Sequence, residues 1–187
     1  MGYAMSIVSN VSPLAPKNFP VMHSISGVRF ATANAGIKSG DSEDATLILL
    51  EPETVIAGLF TSSMTRSAPV IDCQNKIGIN VANTGAAIII NSGNANAFTG
   101  RHGELAVREI IAELSARVQI PVERIFSSST GVIGELLEYQ KIIDVFDHLV
   151  DSLHGSKIEN AARAIMTTDT FPTVSYTHLR AHETVSH

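Results

Sequence analysis

Hydrophobic positions fall into two regimes along the chain. Up to about residue 90 they come in short, near-continuous runs; after Gly103 they recur every three or four residues. Residues 27–31 (GVRFA), 45–50 (ATLILL) and 86–90 (AAIII) are read as strands. The last two lack polar alternation, the pattern of strands covered on both faces. Pro52 closes the second run, and residues 55–61 (VIAGLFT) follow at hairpin distance, which predicts that these two pair. Residues 124–128 read as a shorter strand.

The helical regime follows. Val107, Ile110, Ile111, Leu114 and Val118 form one apolar stripe, and Pro121 limits that helix. A second helix is predicted over 138–153, with Ile142, Ile143, Phe146, Leu149, Val150 and Leu153 inward and His154-Gly155 as its stop. A third starts at Ser156, where Glu159 completes a capping box. Ile158, Ala161, Ala162 and Ile165 form its buried side, and Ala162 and Ala164 permit close packing. Strands first and helices later predict an α+β domain with helices covering a sheet. There is no internal repeat and no long linker, and Pro13, Pro16 and Pro20 make 12–20 an extended lead-in.

Composition narrows the function classes. Of 187 residues, 44% are apolar and 17% charged, which leaves ample surface to bury and excludes disorder along most of the chain. A net charge of −5 argues against a nucleic-acid partner, which needs a basic stripe. No apolar run reaches the roughly 20 residues of a membrane span. A single cysteine makes no internal disulfide and no cysteine-based zinc site, which points to a reducing, cytoplasmic setting. MGYAMS fits the myristoylation pattern at Gly2 and Ser6, but no polybasic second signal follows.

Candidate chemistry lies in three polar segments at the ends of apolar elements. Residues 91–100 (NSGNANAFTG) carry small residues and glycines that let backbone N–H groups approach a ligand or another chain segment; they also read as a tight loop whose asparagines satisfy their own backbone. In 127–135, the Thr130 hydroxyl and the Gly131 N–H are spaced to converge on an oxyanion. G-x-S-x-G is absent, so this is no nucleophile elbow, and an ordinary strand-to-helix turn stays open. Residues 165–172 either bind a polar substrate or simply leave the third helix. His23, His102, His148 and His154 are scattered, and Cys73 reads as a small hydrophobe rather than a nucleophile.

Taken together the segments resemble the glutamate N-acetyltransferase/ornithine acetyltransferase family of arginine biosynthesis, ArgJ. The matching stretches are 27–31, 44–47, 65–70, 91–97, 129–134 and 167–170, in family order and spanning roughly 13–172. The resemblance implies a layered α/β/β/α sandwich of the DmpA/ArgJ type, incomplete here. It also implies acetyl transfer from N-acetylornithine to glutamate, with acetyl-CoA a further donor in some members, and no bound cofactor or metal. Such enzymes cleave themselves before a threonine that becomes the nucleophile at the head of a β chain, giving an α2β2 assembly. By resemblance Thr130 and Gly131 form the oxyanion hole and Thr167 contacts substrate.

The family continues past its Thr-Thr-Asp-Thr segment into a Lys-Gly stretch and an Ala-Thr cleavage site, and neither follows here. Residues 1–172 are therefore read as an incomplete α-chain domain without the nucleophile, inactive alone. Residues 173–187, with three of the seven histidines, read as a non-native tail from an adapter or fusion scar. His178 and His182, spaced as a helical metal pair, lack a third ligand. Two other readings stay open: a self-processing aminopeptidase relative, and a non-catalytic scaffold fragment whose uncovered sheet self-associates.

Overall fold

The computed structural model describes residues 21–79, 81–169 and 171–174. Four strands make one mixed sheet in sequence order: β1 (Val28–Ala33), β2 (Ala45–Leu50), β3 (Ala86–Asn94) and β4 (Ile125–Val132). β1 and β2 pair antiparallel, as do β2 and β3, whereas β3 and β4 run parallel. A parallel pair needs a crossover, and α2 (Gly100–Val118) supplies it.

The apolar stripe of α2 explains which face is covered. Ala106, Val107, Ile110, Ile111 and Leu114 pack on Ala31, Ala33, Leu47, Ala87, Ile89 and Ile125, which share one side of the sheet by alternation. α3 (Tyr139–Asp144) and α4 (Phe146–Asp151) complete that layer with Ile142, Ile143, Phe146 and Leu149.

The chain then crosses to the other face. His154 pairs its backbone with Phe30 on the outer edge of β1, at 2.9 and 3.1 Å. α5 (Ile158–Ala164) lies beyond, with Ala161, Ala162 and Ala164 buried. It covers the β1 end only: Ile48, Leu50, Ile88 and Ile90, on the same face, are half-buried. A strand sequence apolar on both faces thus has one face filled and the other partly open. α1 (Ala68–Lys76) closes the free edge of β4, where the Cys73 thiol and the Lys76 ammonium donate to the carbonyls of Ser127 and Ile125 at 3.2 Å each.

The α+β reading holds, and several element predictions are corrected. Residues 55–61 form no strand; β2 takes β1 and β3 as neighbours, and Val55 and Leu59 stand 90% and 102% exposed. Helix 138–153 breaks at Val145 and ends at Asp151 rather than at His154-Gly155. The capping box at Ser156 does not form: its hydroxyl pairs with His154 Nδ1 at 2.8 Å, and the helix starts at Ile158. α1 was not predicted, since Pro69 and the polar residues 72–76 mask its short stripe. Residues 175–187, including the histidine pair, and the lead-in 12–20 lie outside the described residues.

Candidate functional site

The polar segments are strand ends before they are loops. Asn91, Ser92, Gly93 and Asn94 continue β3, and Ser127 through Val132 continue β4, so the register puts Ser92 beside Thr130 and Gly93 beside Gly131. A bulge at Asn94, which faces both Thr130 and Val132, then splays the pair.

The asparagines of 91–100 are used internally. Asn91 donates to Asn94 O at 2.8 Å and accepts from Ser129 Oγ at 2.6 Å. Asn94 donates to Glu135 O, and its side-chain oxygen accepts the Asn96 N–H at 2.7 Å. Asn96, fully buried, donates to Gly103 O and accepts from Thr99 Oγ1. Buried polar groups of this kind must be paired, and here they pair with the backbone of Asn94, Asn96, Gly103 and Glu135 and with the Thr99 and Ser129 hydroxyls. Their work is to hold the ends of β3 and β4 and the start of α2 in place.

That scaffold fixes Thr130 and Gly131. The carbonyls of Ile125 and Ser127 point away from β3 toward α1, while the carbonyl of Val132 accepts the Ala95 N–H at 2.8 Å on the β3 side. Alternation therefore puts the Gly131 N–H on the free edge of β4. The Thr130 side chain stands on the sheet face that α5 leaves partly open; it is half-buried and makes no hydrogen bond among the described residues. One hydroxyl and one backbone N–H thus lie on adjacent residues at one strand end, the hydroxyl on the sheet face and the N–H on its edge. Because α1 bonds Ser127 from Cys73 and Ile125 from Lys76, it runs antiparallel to β4. Its positive amino end is directed toward Gly131.

Thr167 is exposed, in the turn after α5, where its N–H bonds Asp169 Oδ2 at 3.2 Å. The same strand end anchors that turn: Ser92 Oγ donates to Ala164 O at 2.6 Å. The three predicted site residues therefore belong to one end of the sheet. A groove of about 390 Å³ between α1 and α2, lined by Ile71, Val107 and Ile111, includes none of them.

Comparison with known proteins decides the family. Residues 29–186 match the sequence profile of the ArgJ family. The chain belongs to the ArgJ family. It is 48% identical over 167 residues to the arginine biosynthesis bifunctional protein ArgJ of Ruegeria pomeroyi, covering 89% of this chain and 41% of that protein. The ArgJ of Agrobacterium fabrum is 44% identical over 165 residues, covering 88% and 39%. The chain thus spans about 40% of the length of the curated relatives it matches. Among solved structures, ornithine acetyltransferase from Mycobacterium tuberculosis in complex with ornithine superposes with a TM-score of 0.72 at 32% identity. That match covers 78% of each chain. ArgJ of Bacillus halodurans gives 0.71 at 28% identity, over 80% of this chain and 78% of that one.

Within this ArgJ chain, sequence reasoning gave no role to Asp44 and Lys38, which hold this strand end in place. Asp44, 1% exposed, accepts the N–H groups of Ala35, Ile37 and Lys38 at 2.7, 2.6 and 2.8 Å. Lys38 donates from Nζ to Ala164 O and Met166 O. Gly93 lets this loop lie against β3, because a Cβ there would meet Lys38 Cγ at 2.8 Å. A lone aspartate at the start of a buried strand was the available signal. Cys73 is no nucleophile: burial pushes its thiol above the ordinary range, so little thiolate exists near neutrality.

Gly131 carries a specific prediction. Its φ is +132°, and a Cβ would strike the Gly93 carbonyl carbon and the Asn94 nitrogen. Gly134, at φ +87°, has nothing within 4 Å. Gly131→Ala should cost about 3 kcal/mol, from backbone strain plus overpacking. Gly134→Ala should cost only about 1 kcal/mol, from strain alone. Urea midpoints of the two variants check this, and equal costs would remove the close approach as the reason for glycine.

Proposed function

We propose that this chain is the amino-terminal, α-chain part of an acetyltransferase that moves acetyl from N-acetylornithine to glutamate. The observation that carries the reading is the convergence of Thr130, Gly131 and the Thr167 turn at one end of the sheet, on residues matching the family. In the proposed reaction a threonine oxygen outside this chain attacks the acetamide carbonyl. The carbonyl oxygen becomes anionic between Thr130 Oγ and the Gly131 N–H. The C–N bond breaks as the threonine's proton passes to the departing ornithine amine; the glutamate amine then attacks the acetyl-threonine ester, the C–O bond to threonine breaks, and the proton the amine loses returns to the threonine oxygen. Thr167 holds substrate.

A β chain supplying that threonine, in an α2β2 assembly, is part of the same proposal. The matched region is 78% of each solved chain but only about 40% of the curated proteins. This difference in length supports processing of relatives into two chains. The half-buried face of Ile48, Leu50, Ile88 and Ile90 supports a covering partner. We place the enzyme in the cytoplasm, with no bound cofactor and acetyl-CoA as an alternative donor. No described helix is long and apolar enough to cross a membrane.

The test compares this chain with the family-length protein, meaning this sequence continued to the full length of its relatives. Incubated with N-acetylornithine and glutamate, the family-length protein should release ornithine and form N-acetylglutamate, while this chain alone should form none. Turnover by the chain alone would sink the split of function. A processed family-length protein without exchange would sink the acetyltransferase reading and favour the peptidase relative.

A further inference from the structure

The β1–β2 connection lies at this sheet end, and the proposed chemistry gives it no task. It runs from Asn34 to Asp44 and is held rigidly: Asp44 gathers three of its backbone N–H groups, and the Asp44 carbonyl accepts the Ser92 N–H at 2.8 Å. The loop lies flat on Gly93, which in turn lies against Gly131. From this platform the Lys38 side chain crosses to the end of α5, where Nζ donates to Ala164 O at 3.3 Å and to Met166 O at 3.1 Å. Ser92 Oγ meets the same Ala164 carbonyl. Lys38 makes no carboxylate pair among the described residues.

We propose that Lys38 is a positioning residue: its ammonium, held by the Asp44-gathered loop, ties the carbonyls of Ala164 and Met166 to the strand end and so sets the Thr167 turn against Thr130 and Gly131. The reasons are physical. Helix ends leave carbonyls without intrahelical partners, and a cation there is favoured by the dipole as well as by the hydrogen bonds. Charge-assisted bonds are stronger than neutral ones. α5 has only seven residues, and a helix that short does not hold its own end in place. Met166 directly precedes Thr167, so the tie acts one residue from the proposed substrate contact. Thr167 itself is exposed and, among the described residues, bonds only within its own turn. The inference rests on the acetyltransferase reading only for the role of Thr167; the tie itself stands on the bonds.

Two measurements test it. In this chain, hydrogen exchange of the amides of Ile165, Met166 and Thr167, which are bonded at the end of α5 and in its turn, should accelerate about tenfold in Lys38→Met. Exchange at Ile88–Ile90 should stay unchanged, and Lys38→Arg, which keeps the charge and donors, should restore most of the protection. In the family-length protein, Lys38→Met should raise KM for N-acetylornithine about tenfold with kcat within about threefold, with Lys38→Arg nearer wild type. Unchanged exchange at the turn would overturn the tie. Faster exchange with an unchanged KM would overturn the positioning role. Failure of the underlying reading shows separately, as a wild-type family-length protein without turnover.

Discussion

Thr130→Ala in the family-length protein should lower turnover by roughly 10²–10³, the usual loss when one oxyanion donor is removed. The fall should appear in kcat and kcat/KM alike, because the oxygen becomes anionic only in the transition state and the ground-state amide gains little from the donor. Stability gives the control. The Thr130 hydroxyl bonds nothing among the described residues and its side chain is half-buried, so folding should change by less than about 1 kcal/mol. Thr130→Ser keeps the hydroxyl and should retain most of the rate. An unchanged rate in the alanine variant would remove Thr130 from the role and leave the Gly131 N–H as the sole donor at this strand end. A rate loss matched by an equal loss in the serine variant would point instead to the threonine methyl and its packing.

Much of this site was legible in the sequence, for reasons that differ from residue to residue. A hydroxyl followed by glycine after a strand is a local signal, and Thr130-Gly131 does stand at the end of β4, opposite Ser92 and Gly93. The buried strands 45–50 and 86–90 announced themselves by continuous β-branched and aliphatic runs. The α2 stripe was equally plain, because its period is intrinsic to the helix. The strand ends were not plain. Asn91–Asn94 and Ser129–Val132 are mostly small and polar, so they read as loops or turns. They are strand because the two chains satisfy each other's backbone and because asparagine side chains take up what the bulge leaves unpaired. Such pairing has no local signature.

The stretch 55–61 failed for the opposite reason. VIAGLFT has every local property of a strand, yet both sides of β2 are already occupied by β1 and β3. β-propensity expresses fit to a pleated, half-buried surface, and no such surface is offered to this stretch among the described residues. The break at Val145 was hidden because the inward positions keep their spacing across it, Ile142 and Ile143 before and Phe146 and Leu149 after. Lys38 was invisible altogether. Its partners are 126 and 128 residues away, and no periodicity encodes that distance.

Asp44 should prove the most costly single side chain in the described structure. Asp44→Ala is expected to destabilise this chain by roughly 3–5 kcal/mol, since it strips a buried site of its charge-assisted partner and leaves three backbone N–H groups unpaired. The geometry also predicts the amide variant. Oδ1 takes Ala35 alone, while Oδ2 takes Ile37 and Lys38 together. An asparagine would turn its one oxygen toward the doubly bonded position and set its NH2 against the Ala35 N–H. Asp44→Asn should therefore cost less, about 2 kcal/mol, one orphaned donor plus the loss of charge. Urea unfolding with an unchanged slope would give both values. A cost below about 1 kcal/mol for alanine would mean that the loop finds water for its N–H groups and that the carboxylate is dispensable. The same variants reach the site: with the loop released in Asp44→Ala, Lys38 loses its platform, so the Thr167 turn should exchange faster there even where the core strands remain protected, and less so in Asp44→Asn, which keeps the Ile37 and Lys38 bonds. That coupling joins a residue at the start of β2 to a turn more than a hundred residues later, through one carboxylate, one ammonium and two carbonyls.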